Sequence, residues 1–86
     1  MVEEIESLPN LGPTSAAMLR KAGISTVGDL RNMGPAVAFL VVRQTGQTPS
    51  LNLLWAMAAG LRGRHWTSLS DDEKGELQAQ LDDLSR

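Results

Sequence analysis

Cysteine and tyrosine are absent from these 86 residues, and histidine occurs once, as His65. The lack of cysteine excludes a disulfide framework and any thiolate metal site. His65 has no second imidazole or thiol with which to share a metal, so we expect no metal site, and no motif predicts another cofactor. No apolar run approaches the roughly 20 residues of a membrane helix, and the acidic start of the chain is unlike a signal peptide. We therefore expect a soluble cytoplasmic protein without membrane contact.

Signals for strands and for catalysis are equally scarce. The chain has a single phenylalanine, and no stretch alternates apolar and polar residues for long, so we predict an all-α fold. A nucleophile with its base, a phosphate-binding loop, a dinucleotide fingerprint and a zinc-hydrolase motif are all missing. The length suits one domain, residues 1–86. We expect this domain not to be an enzyme.

Charge is distributed unevenly along the chain. The net charge is −2, which argues against strong non-specific binding to DNA. Residues 1–69 nevertheless hold six basic and four acidic side chains, whereas residues 70–86 hold two basic and six acidic ones. A weakly basic body with an acidic last segment leaves room for a local phosphate-binding surface.

Residues 8–19 read as a hairpin between two helices. The usual hairpin pattern is Leu-Pro-Gly-Ile-Gly-Pro, and here Asn10 stands at the first glycine while Gly12 and Pro13 are in place. Asparagine tolerates a positive φ, glycine suits a helix N-cap, and proline suits the first helical position. The helix that follows the turn is expected to end at Gly23. We predict a helix-hairpin-helix of the SAM-like type.

The start of the second hairpin helix is a candidate anion site. Backbone N–H groups there have no partner within the helix and lie at the positive end of its dipole. Such hairpins commonly hold the nucleic-acid backbone in this way, although many helix hairpins bind only proteins. The predicted nucleic-acid contacts are Asn10, Leu11, Gly12, Thr14, Ser15, Arg20 and Lys21.

Caps, glycines and apolar spacing divide the chain into six helical segments. We predict helical segments over residues 2–7, 13–22, 26–32, 35–45 and 51–61, and a last helix after Ser70. Ser25 is expected to cap the third helix, which should be weak because Gly28 stands where a capping-box glutamate would help. The fifth should be the central core helix, with an inward stripe of Leu51, Leu54, Trp55, Ala58 and Leu61. The last begins with a capping box, and its Leu77, Leu81 and Leu84 should dock on the body.

Two more stretches point to a known family. Residues 50–57, Ser-Leu-Asn-Leu-Leu-Trp-Ala-Met, are followed by Gly-Arg-His-Trp at 63–66. Together with the hairpin and with residues 23–31, they resemble the C-terminal domain of the TfoX (Sxy) competence regulators. The resemblance covers about residues 8–77 and implies an all-helical helix-hairpin-helix domain with a role in DNA uptake. Full regulators of that family carry an additional N-terminal α/β domain that this sequence lacks, so we do not carry over the transcriptional role.

Several polar residues have both a functional and a structural interpretation. Arg20 and Lys21 either neutralise phosphate beside the hairpin or complement the end of their helix. Arg62, Arg64 and His65 form a second basic patch, or the two arginines cap a helix end or pair with the acidic last helix. Asn52, on an apolar helix, is expected to be buried and to bond loop backbone. Trp66 is expected to pack at the core or its rim.

Two functional hypotheses follow. In the first, the hairpin binds double-stranded DNA weakly and without sequence preference, and the affinity falls steeply with salt. In the second, a helical surface binds a regulatory protein or a second copy of this chain, and no nucleic acid is contacted. A basic surface around Gly12 would favour DNA, whereas a neutral or apolar surface would favour protein.

Overall fold

The computed structural model describes residues 3–85, and this part of the chain is all-α, as predicted. Its five α-helices are α1 (Pro13–Lys21), α2 (Val27–Met33), α3 (Pro35–Gln44), α4 (Leu51–Leu61) and α5 (Asp71–Leu84). Two 3-10 helices, Ile5–Ser7 and Trp66–Ser68, precede α1 and follow α4. The five segments predicted after residue 12 are therefore all present, with ends that differ by at most one residue.

The start of the chain is helical over fewer residues than predicted. Ile5–Ser7 forms one 3-10 turn in place of a helix over 2–7, and Val2 lies outside the described residues. The N–H of Val27 donates to the carbonyl of Glu3 at 3.0 Å, next to an isolated β-bridge. Because the Ile5 side chain is completely buried, the entrance to the hairpin is fixed against the start of α2.

The cap of α2 corrects the sequence prediction. Thr26, not Ser25, is the N-cap residue, and its hydroxyl accepts from the N–H of Asp29 at 3.1 Å. The carboxylate of Asp29 accepts in return from the N–H of Thr26, so the capping box is complete. The sequence prediction placed the N-cap one residue too early, so Gly28 seemed to occupy the third helical position. Asp29 occupies that position, and aspartate completes the capping box there as glutamate does.

Helix α4 is buried on nearly every side. Residues 53–60 are all buried, so the predicted central position of this helix in the core is confirmed. The predicted one-sided apolar stripe is wrong in the first turn of the helix. Leu51 is 39% exposed, and Asn52 is exposed rather than buried. Both residues lie in the first turn of α4, which projects beyond the packed part of the helix. Asn52 therefore does not hold a loop in place.

Helix α5 closes the core against α3. Its capping box is confirmed, because the Ser70 hydroxyl accepts from the Glu73 N–H and the Glu73 carboxylate accepts from the Ser70 N–H. Leu77 and Leu81 are buried, but Leu84 is 50% exposed, so the docked stripe ends one turn earlier than predicted. Within residues 3–85, no helix combines the length and the apolarity needed to cross a membrane.

Candidate functional site at the hairpin

The backbone at the start of α1 leaves hydrogen-bond donors without acceptors. Gly12 is the extended N-cap residue, Pro13 is the first helical residue, and the first helical bond runs from the Ala16 N–H to the Gly12 carbonyl at 2.9 Å. Among residues 3–85, the N–H groups of Gly12, Thr14 and Ser15 have no hydrogen-bond acceptor. These three donors sit at the positive end of the α1 dipole and are available to an anion or a carbonyl.

Leu11 does not belong to this donor set. Its N–H donates to the carbonyl of Leu8 at 3.4 Å, and its side chain is buried with 4% of its surface exposed. Leu11 anchors the turn in the hydrophobic core. Within residues 3–85, the main-chain donors without an acceptor at the hairpin are therefore those of Gly12, Thr14 and Ser15.

Asn10 attaches the hairpin to the loop after α4. It has the predicted positive φ, 73°. Its side-chain amide donates to the carbonyl of Arg64 at 2.9 Å, and its amide oxygen accepts from the N–H of Trp66 at 3.1 Å. Both ends of the amide are thus used within the protein. Asn10 therefore positions the donors, and its own contact with nucleic acid stays a prediction.

The carbonyl of Pro9 lies directly on α4. A Cβ atom at Gly60 would be only 2.7 Å from the Pro9 oxygen, so the absence of a side chain at this position lets the turn sit on the helix. With the amide of Asn10, this close approach fixes the height and the orientation of the hairpin over α4. The donors at Gly12 and beyond are therefore held on a rigid support.

An open cleft of about 370 Å³ lies beside the three donors. It runs between the start of α1, the start of α4 and the 3-10 helix at Trp66. Its lining residues are Asn10, Thr14, Ser15, Met18, Ser50, Asn52, Leu53, Ala56 and Trp66. None of these side chains is charged, and Trp66 at the rim is 36% exposed. The hairpin surface is therefore neutral, with dipolar donors in place of cations.

The two cations predicted beside the hairpin differ in their surroundings. Arg20 bonds both Glu4, at 2.9 Å, and Glu6, and the guanidinium lowers the pKa of the Glu6 carboxyl. Lys21 is exposed and makes no ion pair within residues 3–85. The charge that Arg20 would offer to a phosphate is thus largely compensated by two carboxylates on the preceding segment.

The second predicted basic patch is also compensated. Arg62 and Arg64 donate to the same oxygen of Glu73, at 2.7 and 2.8 Å. The Arg64 guanidinium above all, with the Ser70 N–H, lowers the pKa of Glu73 to about 2. His65 bonds the Thr67 hydroxyl through Nδ1 at 2.7 Å. This patch joins the end of α4 to the start of α5, which agrees with the structural interpretation of the two arginines.

Within the part of the chain that the structure describes, no three histidine, aspartate or glutamate side chains are grouped as metal ligands. His65 is exposed, lies against the Trp66 ring with 6.1 Å between the ring centres, and has no carboxylate as hydrogen-bond partner among residues 3–85.

Comparison with known proteins identifies relatives along the whole chain. The family model described as TfoX C-terminal domain matches residues 1–81. The DNA transformation protein TfoX1 of Aliivibrio fischeri is 33% identical over 78 residues, which are 90% of this chain and 37% of that protein. The DNA transformation protein TfoX of Haemophilus influenzae is 28% identical over 85 residues, 99% of this chain and 39% of that protein. This chain thus spans less than two fifths of these curated relatives.

Solved structures share the fold over nearly their full length. A crystal structure of an uncharacterized protein from Listeria monocytogenes, in a triclinic form, has a TM-score of 0.82 and 29% identity, with 95% of this chain and 93% of that chain covered. A tetragonal form of a Listeria monocytogenes protein of unknown function also has a TM-score of 0.82, with 30% identity and coverage of 93% and 99%. The architecture therefore also occurs in chains of about this length.

Proposed function

This chain belongs to the TfoX C-terminal domain family, and from that membership we propose that it is a non-catalytic regulatory domain that serves DNA transformation. Two relatives are named as DNA transformation proteins, and they are matched over most of this chain. We further propose that the hairpin touches the DNA backbone weakly and without sequence preference. One observation carries this second step: three adjacent main-chain donors at the start of α1 have no acceptor among residues 3–85.

The charges of the hairpin limit how tightly DNA is held. Among the described residues, Lys21 makes no ion pair, while Arg20 is engaged by two glutamates. The slope of log K against log salt is about −0.9 for each phosphate neutralised by a cation, so we expect a slope near −1. Affinity should fall about threefold to fourfold between 50 and 200 mM salt. This response is far shallower than the steep one expected from the sequence.

Fluorescence anisotropy with a short labelled duplex tests the proposal. Gly12→Glu places a carboxylate beside the donors, and Gly75→Glu makes the same charge change on α5; a Cβ meets nothing within 4 Å at either glycine. We expect binding at 50 mM salt to be lost in Gly12→Glu and retained in Gly75→Glu, with unchanged helical circular dichroism. Gly12→Ala keeps the three donors and should bind as the wild type does.

Protein recognition at the same cleft is the second candidate function. The uncharged lining favours it by the criterion stated for the surface around Gly12. The side chains of Met18 and Trp66 favour it too, because a partner segment would bury these groups and supply a carbonyl or carboxylate to the donors. The anisotropy experiment separates the two candidates. The proposal of DNA contact at the hairpin is wrong if the wild type does not bind the duplex at 50 mM salt. It is also wrong if Gly12→Glu binds the duplex as tightly as Gly75→Glu does. Either result favours protein recognition at the cleft.

A further inference from the structure

The cleft beside the three hairpin donors, which we name the hairpin cleft, contains polar side chains that the fold leaves unused. They are those of Thr14 and Ser15 in the first turn of α1 and of Ser50 and Asn52 at the start of α4. Within the described part of the chain, none of these four side chains makes a hydrogen bond. The cleft therefore offers a ligand hydroxyl and amide groups that can both donate and accept.

Trp66 adds an aromatic ring to the rim of the same cleft. It is 36% exposed, whereas Trp55, the other tryptophan, is 8% exposed in the core. The backbone beneath the ring is fixed, because the Trp66 N–H donates to the amide oxygen of Asn10 at 3.1 Å. The Ser68 hydroxyl, which donates to the carbonyl of His65 at 2.6 Å, closes the same 3-10 turn. An exposed indole on a rigid support is available for stacking against a flat ligand.

The lining of the hairpin cleft suits a neutral group of a ligand. No charged side chain lines the cleft, so a second phosphate would find no counterion there. The half-buried Met18 adds apolar surface next to Trp66 and the unused hydroxyls. The volume of about 370 Å³ lies within the roughly 300–1,000 Å³ of small-molecule sites. A nucleotide base matches this lining, because it is flat and uncharged, with faces that stack and an edge that hydrogen-bonds.

We propose that the hairpin cleft binds an unpaired DNA base, stacked on Trp66, while the donors at the start of α1 hold the neighbouring phosphate. The Asn52 amide supplies a donor and an acceptor to the edge of that base. This inference rests on the proposed function, since the backbone contact brings a nucleotide next to the cleft. In a duplex each base is stacked and paired, so it cannot enter the cleft. Single-stranded DNA is therefore the preferred ligand of the hairpin.

The preference for a single strand is measured with the whole chain and two labelled probes of equal length, an oligothymidylate and a perfect duplex. The duplex carries the higher charge density, so electrostatic attraction alone would favour it. Stacking of one base on an aromatic side chain corresponds to about fivefold or more in affinity. We therefore expect fluorescence anisotropy at about 50 mM salt to show the oligothymidylate bound at least about fivefold more tightly than the duplex.

Replacement of Trp66 tests the stacking directly. Trp66→Leu keeps an apolar side chain at the rim but removes the ring, so the affinity for oligothymidylate should fall by about fivefold or more while the affinity for the duplex changes by less than about twofold. Unlabelled oligothymidylate should quench the tryptophan fluorescence of the wild type. The quenching should disappear in Trp66→Leu, whose remaining tryptophan, Trp55, is buried. Trp66→Phe restores a ring and should recover part of the preference.

Asn52→Ala keeps the test valid if Trp66→Leu unfolds the domain. Asn52 is exposed and its side chain makes no hydrogen bond within residues 3–85, so its loss leaves the fold intact. The variant should weaken binding of the oligothymidylate by about twofold or more and leave the duplex affinity unchanged. Val37→Ala is the matched control, because Val37 is as exposed as Trp66, at 37%, but lines another hollow. It should leave the affinities for both probes unchanged.

The results distinguish this inference from the proposed function. If the wild type binds neither probe, the backbone contact and the base site are both wrong. If Gly12→Glu abolishes duplex binding but the wild type binds oligothymidylate no more tightly than duplex, the backbone contact stands and the base site is wrong. Unchanged affinity for oligothymidylate in both Trp66→Leu and Asn52→Ala, with retained helicity, would place the single-strand preference outside the cleft and would also overturn the inference.

Discussion

Replacing Gly60 by alanine tests whether the hairpin rests on α4 as described. The added Cβ would lie 2.7 Å from the carbonyl oxygen of Pro9, roughly 0.7 Å closer than ordinary van der Waals contact allows. The obstacle is backbone, so the turn itself has to move, and overpacking of this kind costs about 1–3 kcal/mol. Alanine also gains up to about 1 kcal/mol of helix propensity over glycine. The middle of these two ranges leaves a net loss of about 1 kcal/mol.

Gly75→Ala supplies the matched control for this prediction. Gly75 lies inside α5, and a Cβ there meets nothing within 4 Å, so only the propensity term operates and the variant should gain about 0.5–1 kcal/mol. For a domain of this size each kcal/mol shifts Tm by about 4–8 °C, so thermal unfolding followed by circular dichroism should move in opposite directions for the two variants. If Gly60→Ala gained stability as Gly75→Ala does, the close contact with Pro9 would be refuted.

Two further predictions concern the polar groups that hold the site. Asn10→Ala should destabilise the domain by about 1 kcal/mol more than Asn10→Gly does, as measured by chemical denaturation. Both variants lose the hydrogen bonds to the loop after α4, but only alanine adds backbone strain at φ 73°. Equal losses of stability in the two variants would contradict the assigned strain. Glu73→Gln should matter at neutral pH and not in acid. The folded state lowers the pKa of Glu73 from 4.5 to about 2, so its stabilising effect is complete above pH 4.5 and disappears as the pH falls towards 2. The difference in Tm between wild type and Glu73→Gln should therefore shrink from pH 7 to pH 2.5, with Glu76→Gln as the control, and a constant difference would contradict this role.

Local signals account for what could be predicted from the sequence. The bounds of α4 follow from the loop before Ser50 and the glycines near its end, and the start of α5 follows from Ser70 and Glu73. The turn at Gly12 and the positive φ of Asn10 follow from residue chemistry within a few positions. In each case the interacting groups are neighbours in the chain, so spacing alone identifies them.

Contacts between distant segments were not predictable in this way. Asn10 meets Arg64 and Trp66 across more than 50 residues, and Arg20 pairs with Glu4 and Glu6 only because the 3-10 turn folds back on α1. No periodicity in a single sequence encodes which carboxylate an arginine meets, since exposed cations and anions are abundant and unspecific. That the predicted residues bind a ligand stays a prediction, and the electrostatic state of their side chains depends on the tertiary fold.

The ion pairs of the arginines limit the charge that the hairpin can offer to an anion. Arg20, Arg62 and Arg64 are held by carboxylates of the same chain. Within residues 3–85 the hairpin therefore offers an anion three dipolar donors, and Lys21 of α1 makes no ion pair. A contact of that kind is weak and non-specific by itself.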